Sequence, residues 1–206
     1  MLVVKEGVDC IPGKPIRDVL AARGFAAGFD TVFSFVESGI PLTVSLISQF
    51  HNYVMLGALL EFCGVFRNHN VQIRGTRCRT ALFWEIPERI RGLIDRYNTA
   101  DKEMHPIEKA ARFHAAFETI HPFHDGNGRT GRLLLNYMLV REVFWPVNIR
   151  YAEDRVRYYD ALASYNETGN ADDLTCLIAQ RAAEQLEYCI EIARQQEAAR
   201  CGREPV

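Results

Sequence analysis

The chain has 206 residues, of which 48% are hydrophobic, 24% charged and 11% aromatic. This length and composition are typical of one sizeable globular core and exclude a disordered or fibrous chain. The formal net charge of -2 gives no electrostatic reason to expect a nucleic acid or an acidic membrane surface as a partner.

The six cysteines are widely separated and include no C-x-x-C pair. This spacing is typical of reduced thiols rather than of a zinc or disulfide framework. No charged segment followed by an apolar run opens the sequence, so no secretory signal is predicted. The most apolar segment, VMLGALLEFCGVF, is too short to span a bilayer and contains Glu61. We therefore expect a cytoplasmic protein without a membrane or nucleic-acid partner.

Helical periodicity dominates from residue 43 onward. TVSLISQFHNYVMLGALLEF begins with Thr43, a residue type that caps helix N-termini, and repeats apolar residues at helical spacing. HPIEKAARFHAAFETI places Pro106 in a first helical turn and carries an apolar stripe that includes His114 and Phe117. Further helices are predicted for GRLLLNYMLVREVF, DRVRYYDALASY and the long segment DDLTCLIAQRAAEQLEYCIEIARQQ.

The helical period is lost in NVQIRGTRCRTALFW, residues 70–84, where partial alternation and Gly75 predict a β-hairpin flap. No internal repeat or low-complexity linker divides the chain. We therefore predict a mainly α fold in a single domain over residues 1–206. Its core lies at about 43–180, with N-terminal helices in 1–42 and a C-terminal helix with a frayed tail in 181–206.

The stretch HPFHDGNGRTGR, residues 121–132, concentrates polar chemistry in one loop. Read as a metal hydrolase, it would supply His121, His124 and Asp125, with His114 two turns earlier on the preceding helix. His114 lies on an apolar stripe, however, where a packed and hydrogen-bonded histidine is the more common explanation. The metal interpretation also leaves the glycines and arginines of the loop without a role.

A phosphate site accounts for those remaining residues. Gly126, Asn127 and Gly128 form a turn that allows a close approach, and their backbone N–H groups can surround an anion. The helix that follows directs its N-terminal dipole toward the same point. Arg129 and Arg132 are three residues apart, so both reach phosphate oxygens from one helix face.

The flanking residues supply the other requirements of phosphate chemistry. Asp125 is a hard oxygen ligand placed to hold Mg²⁺ against phosphates. His121 lies at the far rim, where it can act as a general base toward an incoming hydroxyl. The simpler alternative is a capped surface loop with exposed charge, which leaves this density of matched residue types unexplained.

At these residues the chain resembles a known family. HPFHDGNGR followed by Arg132 matches the Fic-domain signature H-P-F-x-[DE]-G-N-G-R-x-x-R at every defined position. GVFRNHNVQIRGT is similar to the segment that enters the family's target-docking flap. HPIEKAARFHAAFETI is similar to the helix before the catalytic loop, and RYYDALASYNETGNADDL to the helix pair after it. The resemblance covers roughly residues 14–180.

The resemblance implies a single Fic-type helical domain that transfers AMP from ATP to a Tyr, Thr or Ser hydroxyl of a target protein and releases pyrophosphate. By this resemblance His121 would take the proton of the target hydroxyl, and Asp125 would hold Mg²⁺ between the α- and β-phosphates. The anion hole would be formed by Gly126, Asn127 and Gly128.

The resemblance also implies roles for residues further along the chain. Arg129 would bind the β-phosphate and Arg132 the γ-phosphate, while Phe123 would point inward and anchor the loop. Tyr159 and Asn166 match positions that line the adenosine pocket of the family. A target protein would dock by β-strand addition on the flap near residues 70–85, where this chain lacks the prolines that many relatives carry after the hairpin.

Many Fic proteins are inhibited by a helix with the motif [ST]-x-x-x-E-[GN], whose glutamate pairs with the second arginine. Here Glu6 is the only glutamate followed by Gly or Asn, and Leu2 stands where Ser or Thr is required. KEGVDCIPGKPIRD resembles the stretch just after such a helix in the branch where the helix is N-terminal. We hypothesise that Arg132 has no inhibitory partner in this chain. The protein would then be constitutively active or restrained by a separate antitoxin-like protein, and would not remove AMP.

Two alternatives to AMP transfer remain at this stage. The motif fixes the phosphates and says little about the base, so transfer of another nucleotide or phosphate-containing group stays open. A non-catalytic nucleotide-binding regulator also stays open, although such a protein would have no need of the base His121.

Overall fold

The computed structural model describes residues 15–56, 62–73 and 78–201. The stretch KEGVDCIPGK and the central part of the predicted hairpin, residues 74–77, lie outside this range. In the described residues the chain forms α1 (Ile16–Glu37), α2 (Val44–Val54), α3 (Ile86–Asn98), α4 (Pro106–Ile120), α5 (Asn127–Arg141), α6 (Tyr151–Thr168) and α7 (Asp172–Cys201), with a short 3₁₀ turn at Phe83–Glu85 before α3. The predicted mainly α fold is thus confirmed.

Local signals in the sequence set several helix starts. The Thr43 hydroxyl accepts a hydrogen bond from the Leu46 N–H at 3.2 Å and caps α2. Pro106 is the first residue of α4, where a missing N–H costs no helical hydrogen bond. Helix α3 lies in a segment for which no helix is predicted above. Its signals are a proline in the first turn and a buried stripe of Ile86, Ile90 and Ile94.

Helices α4 and α5 form the centre of the fold. They pack against each other, with α3, α6 and α7 around α4 and with α1 and α2 against α5. The largest fully buried side chains include Phe50, Phe113, Phe117, Phe123 and Tyr137. Burial of each such side chain contributes roughly 1.5–3 kcal/mol, so this aromatic core holds the α4–α5 connection in place from several sides.

Helix α1 packs closely on α2 and α5. A Cβ on Gly24 would lie 2.1 Å from the Tyr53 carbonyl oxygen, and one on Gly28 would lie 2.7 Å from a Leu133 methyl carbon. These glycines therefore permit the close crossing. Among the described helices α1 alone is long and apolar enough to cross a membrane, with a mean hydropathy of 1.4 over its most apolar window. In the folded chain 28% of this window is buried, and Val19 and Val32 are among the buried residues of the helix.

The predicted β-hairpin is not confirmed, because residues 70–73 and 78–82 are not in strands. Side chains make the connections across the flap instead. The Asn70 side-chain oxygen accepts a hydrogen bond from the Phe83 N–H at 3.0 Å, and the Thr80 hydroxyl donates one to the Val71 carbonyl at 2.7 Å. Side-chain contacts thus replace backbone pairing in the flap, which we define as the described residues 69–73 and 78–82.

Candidate active site

The connection between α4 and α5 has an unusual backbone at both ends. His121 ends α4 in the left-handed conformation, with φ 52° and ψ 61°, and Gly126 precedes α5 with φ 77°. A side chain on Gly126 would also meet Met55 and Val54 at 3.1 and 3.2 Å. A non-glycine residue with positive φ costs on the order of 1–3 kcal/mol, so the surroundings must hold His121 in place. Such strain is common at functional sites.

Asn127 closes the loop from inside. Its side-chain oxygen accepts a hydrogen bond from the Phe123 N–H, and its amide nitrogen donates one to the Phe123 carbonyl, both at 2.8 Å. The side chain is buried and fully engaged in this pair. Any contribution of Asn127 to an anion hole therefore comes from its backbone N–H, and its place in the predicted anion site stays a prediction.

His51 of α2 supports the same loop, and sequence reasoning did not identify it. Its ring stacks on Phe123, which is fully buried, with centroids 3.7 Å apart and planes 7° apart. Its Nδ1 accepts a hydrogen bond from the Gly64 N–H at 2.8 Å, so Nε2 carries the proton and donates to the Asp125 carbonyl at 3.0 Å. Burial lowers the pKa of His51 to about 4, so the neutral imidazole joins the segment before the flap to the loop.

The start of α5 provides the predicted anion site. The Thr130 N–H reaches back to the Gly126 carbonyl at 2.9 Å, and the N–H groups before Thr130 have no acceptor within the helix. These groups and the positive end of the helix dipole favour an anion. Gly128 leaves the approach open, since the nearest atom to a Cβ there would be the flexible end of Arg132 at 3.4 Å.

The two arginines of the motif are held differently. Arg129 donates to the Val54 carbonyl at 2.7 Å, and its other terminal nitrogen lies 3.4 Å from an Asp125 carboxylate oxygen. The Arg132 guanidinium lies 6.0 Å from the centre of the Phe25 ring of α1. Asp125 and Arg129 also line a cavity of about 410 Å³ between the start of α1 and the end of α2. The predicted magnesium ligand Asp125 and the predicted phosphate ligand Arg129 therefore face an open volume.

Asp125 fits the predicted magnesium ligand. Its carboxylate accepts a hydrogen bond from the Gly126 N–H at 2.6 Å, and its side chain is 71% exposed at the edge of the cavity. In the part of the chain that the structure describes, no three His, Cys, Asp or Glu side chains converge as a metal cage. A single exposed carboxylate suits Mg²⁺, which is held in proteins by one or two carboxylates together with substrate phosphates.

His121 has the properties of a base. Burial chiefly lowers its pKa, and the Arg67 charge lowers it further, while the Glu118 carbonyl and the Asp125 carboxylate act in the opposite direction. Its Nδ1 is buried and has no hydrogen-bond partner among the described residues. The imidazole is therefore neutral near pH 7 and able to accept a proton.

His114 does not join a metal site. It is buried in α4, its Nδ1 donates to the Gly131 carbonyl at 3.0 Å, and its Nε2 accepts from the Tyr158 hydroxyl at 2.7 Å. Burial lowers its pKa to about 4. Since both nitrogens are engaged, the ligand set of the metal-hydrolase alternative is not assembled in the described structure, and His114 is a packed histidine.

Glu118 is a further buried group that no sequence pattern indicates. It is 9% exposed, and its Oε1 has no hydrogen-bond partner among the described residues. Burial raises its pKa to about 7, with the nearby Arg132 charge opposing this shift. The carboxyl therefore lies under the start of α5, close to the arginine that is predicted to bind the γ-phosphate.

The two residues assigned to the adenosine pocket lie on α6. Tyr159 is 51% exposed, and its ring meets Tyr158 edge-on at 5.4 Å. The Asn166 side chain accepts a hydrogen bond from the Arg79 N–H at 3.1 Å and donates one to the Arg79 carbonyl at 3.0 Å. Asn166 thus holds the flap backbone in this structure, a contact that sequence spacing does not reveal. Nucleotide binding by Tyr159 and Asn166 stays a prediction.

The fold and the loop together bring a helix start with N–H groups that have no acceptor within the helix close to a partly buried, neutral histidine. Residues 41–139 match the Fic/DOC family. The chain is 32% identical over 170 residues to protein adenylyltransferase fic-1 of Caenorhabditis elegans, in a match that spans 77% of this chain and 31% of the relative. It is 33% identical over 173 residues to protein adenylyltransferase Fic of Nematostella vectensis, spanning 79% of this chain and 38% of the relative.

The structure agrees with these sequence matches. It superposes on residues 134–508 of Fic-1 from C. elegans with a TM-score of 0.83 and 26% identity, covering 95% of this chain and 58% of that one. The chain belongs to the Fic/DOC family, as the HPFHDGNGR motif predicts. It spans about a third of the length of the two curated relatives.

Proposed function

We propose that this chain is a protein adenylyltransferase, which transfers AMP from ATP to a Tyr, Thr or Ser hydroxyl of a target protein. The observation that carries the proposal is the connection between α4 and α5. It places a partly buried neutral imidazole, His121, in the loop before a helix start whose first N–H groups have no acceptor within the helix. The relatives named as protein adenylyltransferases support the same reaction.

In the proposed reaction His121 removes the proton of the target hydroxyl. The hydroxyl oxygen bonds to the α-phosphorus of ATP, and the bond from that phosphorus to the α–β bridging oxygen breaks. The electron pair of that bond leaves with pyrophosphate. Because the pKa of His121 is lowered, its imidazole is free of the proton before the target arrives.

The phosphates are bound by the start of α5. Arg129 binds the β-phosphate and Arg132 the γ-phosphate, with the backbone N–H groups of Asn127 and Gly128 directed at the negative charge, while the Gly126 N–H donates to the Asp125 carboxylate. Asp125 would hold Mg²⁺, which would neutralise charge on the phosphates. We place adenosine beside Tyr159 because its half-exposed ring offers a stacking surface.

The proposal also includes the docking site of the target, the control of activity and the location of the protein in the cell. The target docks on the flap, and the chain is either active without restraint or restrained at Arg132 by a separate antitoxin-like protein. A cytoplasmic location, with its ATP and Mg²⁺, suits this chemistry.

The test is labelling of a cell lysate by the purified chain with Mg²⁺ and ATP carrying the label at the α-phosphate. We expect protein labelling that falls about 10²- to 10⁴-fold in the His121→Ala variant, while ATP binding is retained. The matched control is His124→Ala, which changes the undefined position of the motif and should keep the activity. Labelling from γ-labelled ATP, or full activity of His121→Ala, would contradict the proposal. Competition by unlabelled GTP, CTP or UTP tests the choice of nucleotide.

A further inference from the structure

Arg67, in the segment that enters the flap, makes an unusually complete set of hydrogen bonds. Its Nε donates to the His121 carbonyl at 2.8 Å, and one terminal nitrogen donates to the His69 carbonyl at 2.7 Å. The other terminal nitrogen donates to the Ala81 carbonyl at 2.5 Å and to the Ile120 carbonyl at 3.4 Å. Its backbone N–H donates to the Pro122 carbonyl at 2.9 Å.

None of these hydrogen-bond partners of Arg67 is a carboxylate, and all the acceptors are backbone carbonyl oxygens. The residue is 4% exposed, and burial lowers its pKa. Two of its four side-chain acceptors, the Ile120 and His121 carbonyls, stand at the C-terminal end of α4. Carbonyls at a helix C-terminus have no partner within the helix and carry the negative end of its dipole. Arg67 therefore caps α4 with a buried positive charge.

The other two acceptors lie at the two ends of the flap. His69 begins the first flap segment, and Ala81 is near the end of the second. One planar guanidinium thus joins both ends of the flap to the residue that ends α4. That residue, His121, has the strained positive φ of 52° and is the proposed base. Its geometry and the position of the flap depend on the same side chain.

We propose that Arg67 is a positioning residue for AMP transfer, which fixes His121 and the target-docking flap relative to each other. This inference rests on the proposed function for its link to transfer, whereas the mechanical coupling is a property of the fold alone. Lysine cannot replace the arginine, because a single ammonium group on a flexible stem cannot reach carbonyls on both sides of the flap and at the helix end.

The main test compares Arg67→Lys with Arg181→Lys. Arg181 is an equally buried arginine that pairs with Asp154 and Glu184, away from the flap and the loop. Both variants are assayed with α-labelled ATP at temperatures where each is folded. We expect Arg67→Lys to lose transfer by a factor on the order of 10², as for a misplaced catalytic group, with the Kd for ATP within a few-fold of wild type. Arg181→Lys should keep both.

A second measurement uses hydrogen exchange, which does not require activity. In Arg67→Lys the exchange of residues 119–123 and of the flap should both accelerate, while in Arg181→Lys neither should change. In the wild-type protein under mild denaturant, the amides of Arg67 and His121 should exchange through the same opening, with the same dependence on denaturant. This last measurement applies even if Arg67→Lys fails to fold.

The two proposals fail in different ways. If the wild-type chain transfers no AMP, the proposed function is contradicted, while hydrogen exchange still tests the coupling. If the wild-type chain is active and folded Arg67→Lys is equally active, the positioning role is overturned. It is also overturned if ATP binding falls as much as transfer, or if the flap and residues 119–123 open independently.

Discussion

At the scale of single residues, two buried histidines, His51 and His114, hold the surroundings of the loop in place. Both are neutral, and they are opposite tautomers. His51 accepts at Nδ1 from a backbone N–H, so its proton is on Nε2. His114 faces a carbonyl with Nδ1, so its proton is on Nδ1. The apolar stripe of its helix indicates that His114 is a packed histidine, whereas the role of His51 and the tautomers of both residues are not visible in the sequence. A buried neutral histidine with two fixed partners connects them through two hydrogen bonds. Protonation of the ring would remove the hydrogen bond in which the ring nitrogen is the acceptor.

We therefore predict that ¹⁵N spectra near pH 7 show Nε2–H for His51 and Nδ1–H for His114. The pKa of each is lowered to about 4, so between about 4 and 6.5 the unfolded chain binds protons that the folded chain does not. Stability should fall as the pH decreases through this window, by up to about 3 kcal/mol for each histidine. A His69→Gln variant, which changes an exposed histidine, should keep this loss. The opposite tautomers, or stability constant from pH 7 to 4, would contradict the assignment.

Glu118 should give the opposite pH dependence. Its folded pKa is raised from 4.5 to about 7, so the folded chain holds a proton that the unfolded chain loses. The stabilising contribution of the neutral carboxyl is therefore present below about pH 4.5 and is lost as the pH rises through 7, by up to about 3 kcal/mol. We expect Glu118→Gln to remove this loss when urea unfolding is compared near pH 5 and near pH 8.

The control for Glu118 is Glu88→Gln on α3. Glu88 is exposed, so removal of its carboxylate should leave the wild-type pH profile unchanged. If Glu118→Gln and Glu88→Gln give the same profile, the Glu118 carboxyl is ionised in the folded protein and the prediction is wrong.

At the scale of elements, α5 contains two glycines whose substitution should have different effects. A Cβ on Gly131 would lie 2.3 Å from the Glu118 carboxyl oxygen and 3.0 Å from the His114 ring, whereas a Cβ on Gly128 meets only the end of Arg132 at 3.4 Å. In a helix Ala normally stabilises relative to Gly by up to about 1 kcal/mol. We expect Gly131→Ala to destabilise by about 1–3 kcal/mol through overpacking against α4.

Thermal or urea unfolding of the two variants measures this difference. Gly128→Ala should be at least as stable as wild type, because the flexible Arg132 side chain can move. Equal stability of the two variants would show that α4 and α5 separate without cost, contrary to the close packing described here.

The elements differ in how far the sequence predicts them. Thr43 and Pro106 are local signals, and both stand where α2 and α4 begin. The flap is different, because it is connected by Arg67 and Asn166, whose partners are backbone atoms up to 54 and 87 residues away. Every residue has a backbone carbonyl, so no pattern of residue types indicates which carbonyl a side chain will contact. Partial alternation in this segment therefore predicts a hairpin that the described residues do not form.

At the scale of the whole molecule, the site is assembled by packing from several helices. The motif predicts the roles of His121 and Asp125 because local chain geometry alone brings them to the start of α5. It does not predict His51 from α2, Arg67 before the flap or Glu118 beneath α5, since these are placed by tertiary contacts. The relatives extend well beyond the length of this chain, and the described fold still contains the complete motif in one helical domain.

The most direct measurement of the central claim is tandem mass spectrometry of proteins incubated with the purified chain, Mg²⁺ and an equal mixture of the four nucleoside triphosphates. We expect an adenylyl group on Tyr, Thr or Ser hydroxyls, present with the wild-type chain and absent with His121→Ala. A phosphate or a different nucleotide on the modified residues would contradict it, and so would adenylylation that persists without the His121 imidazole.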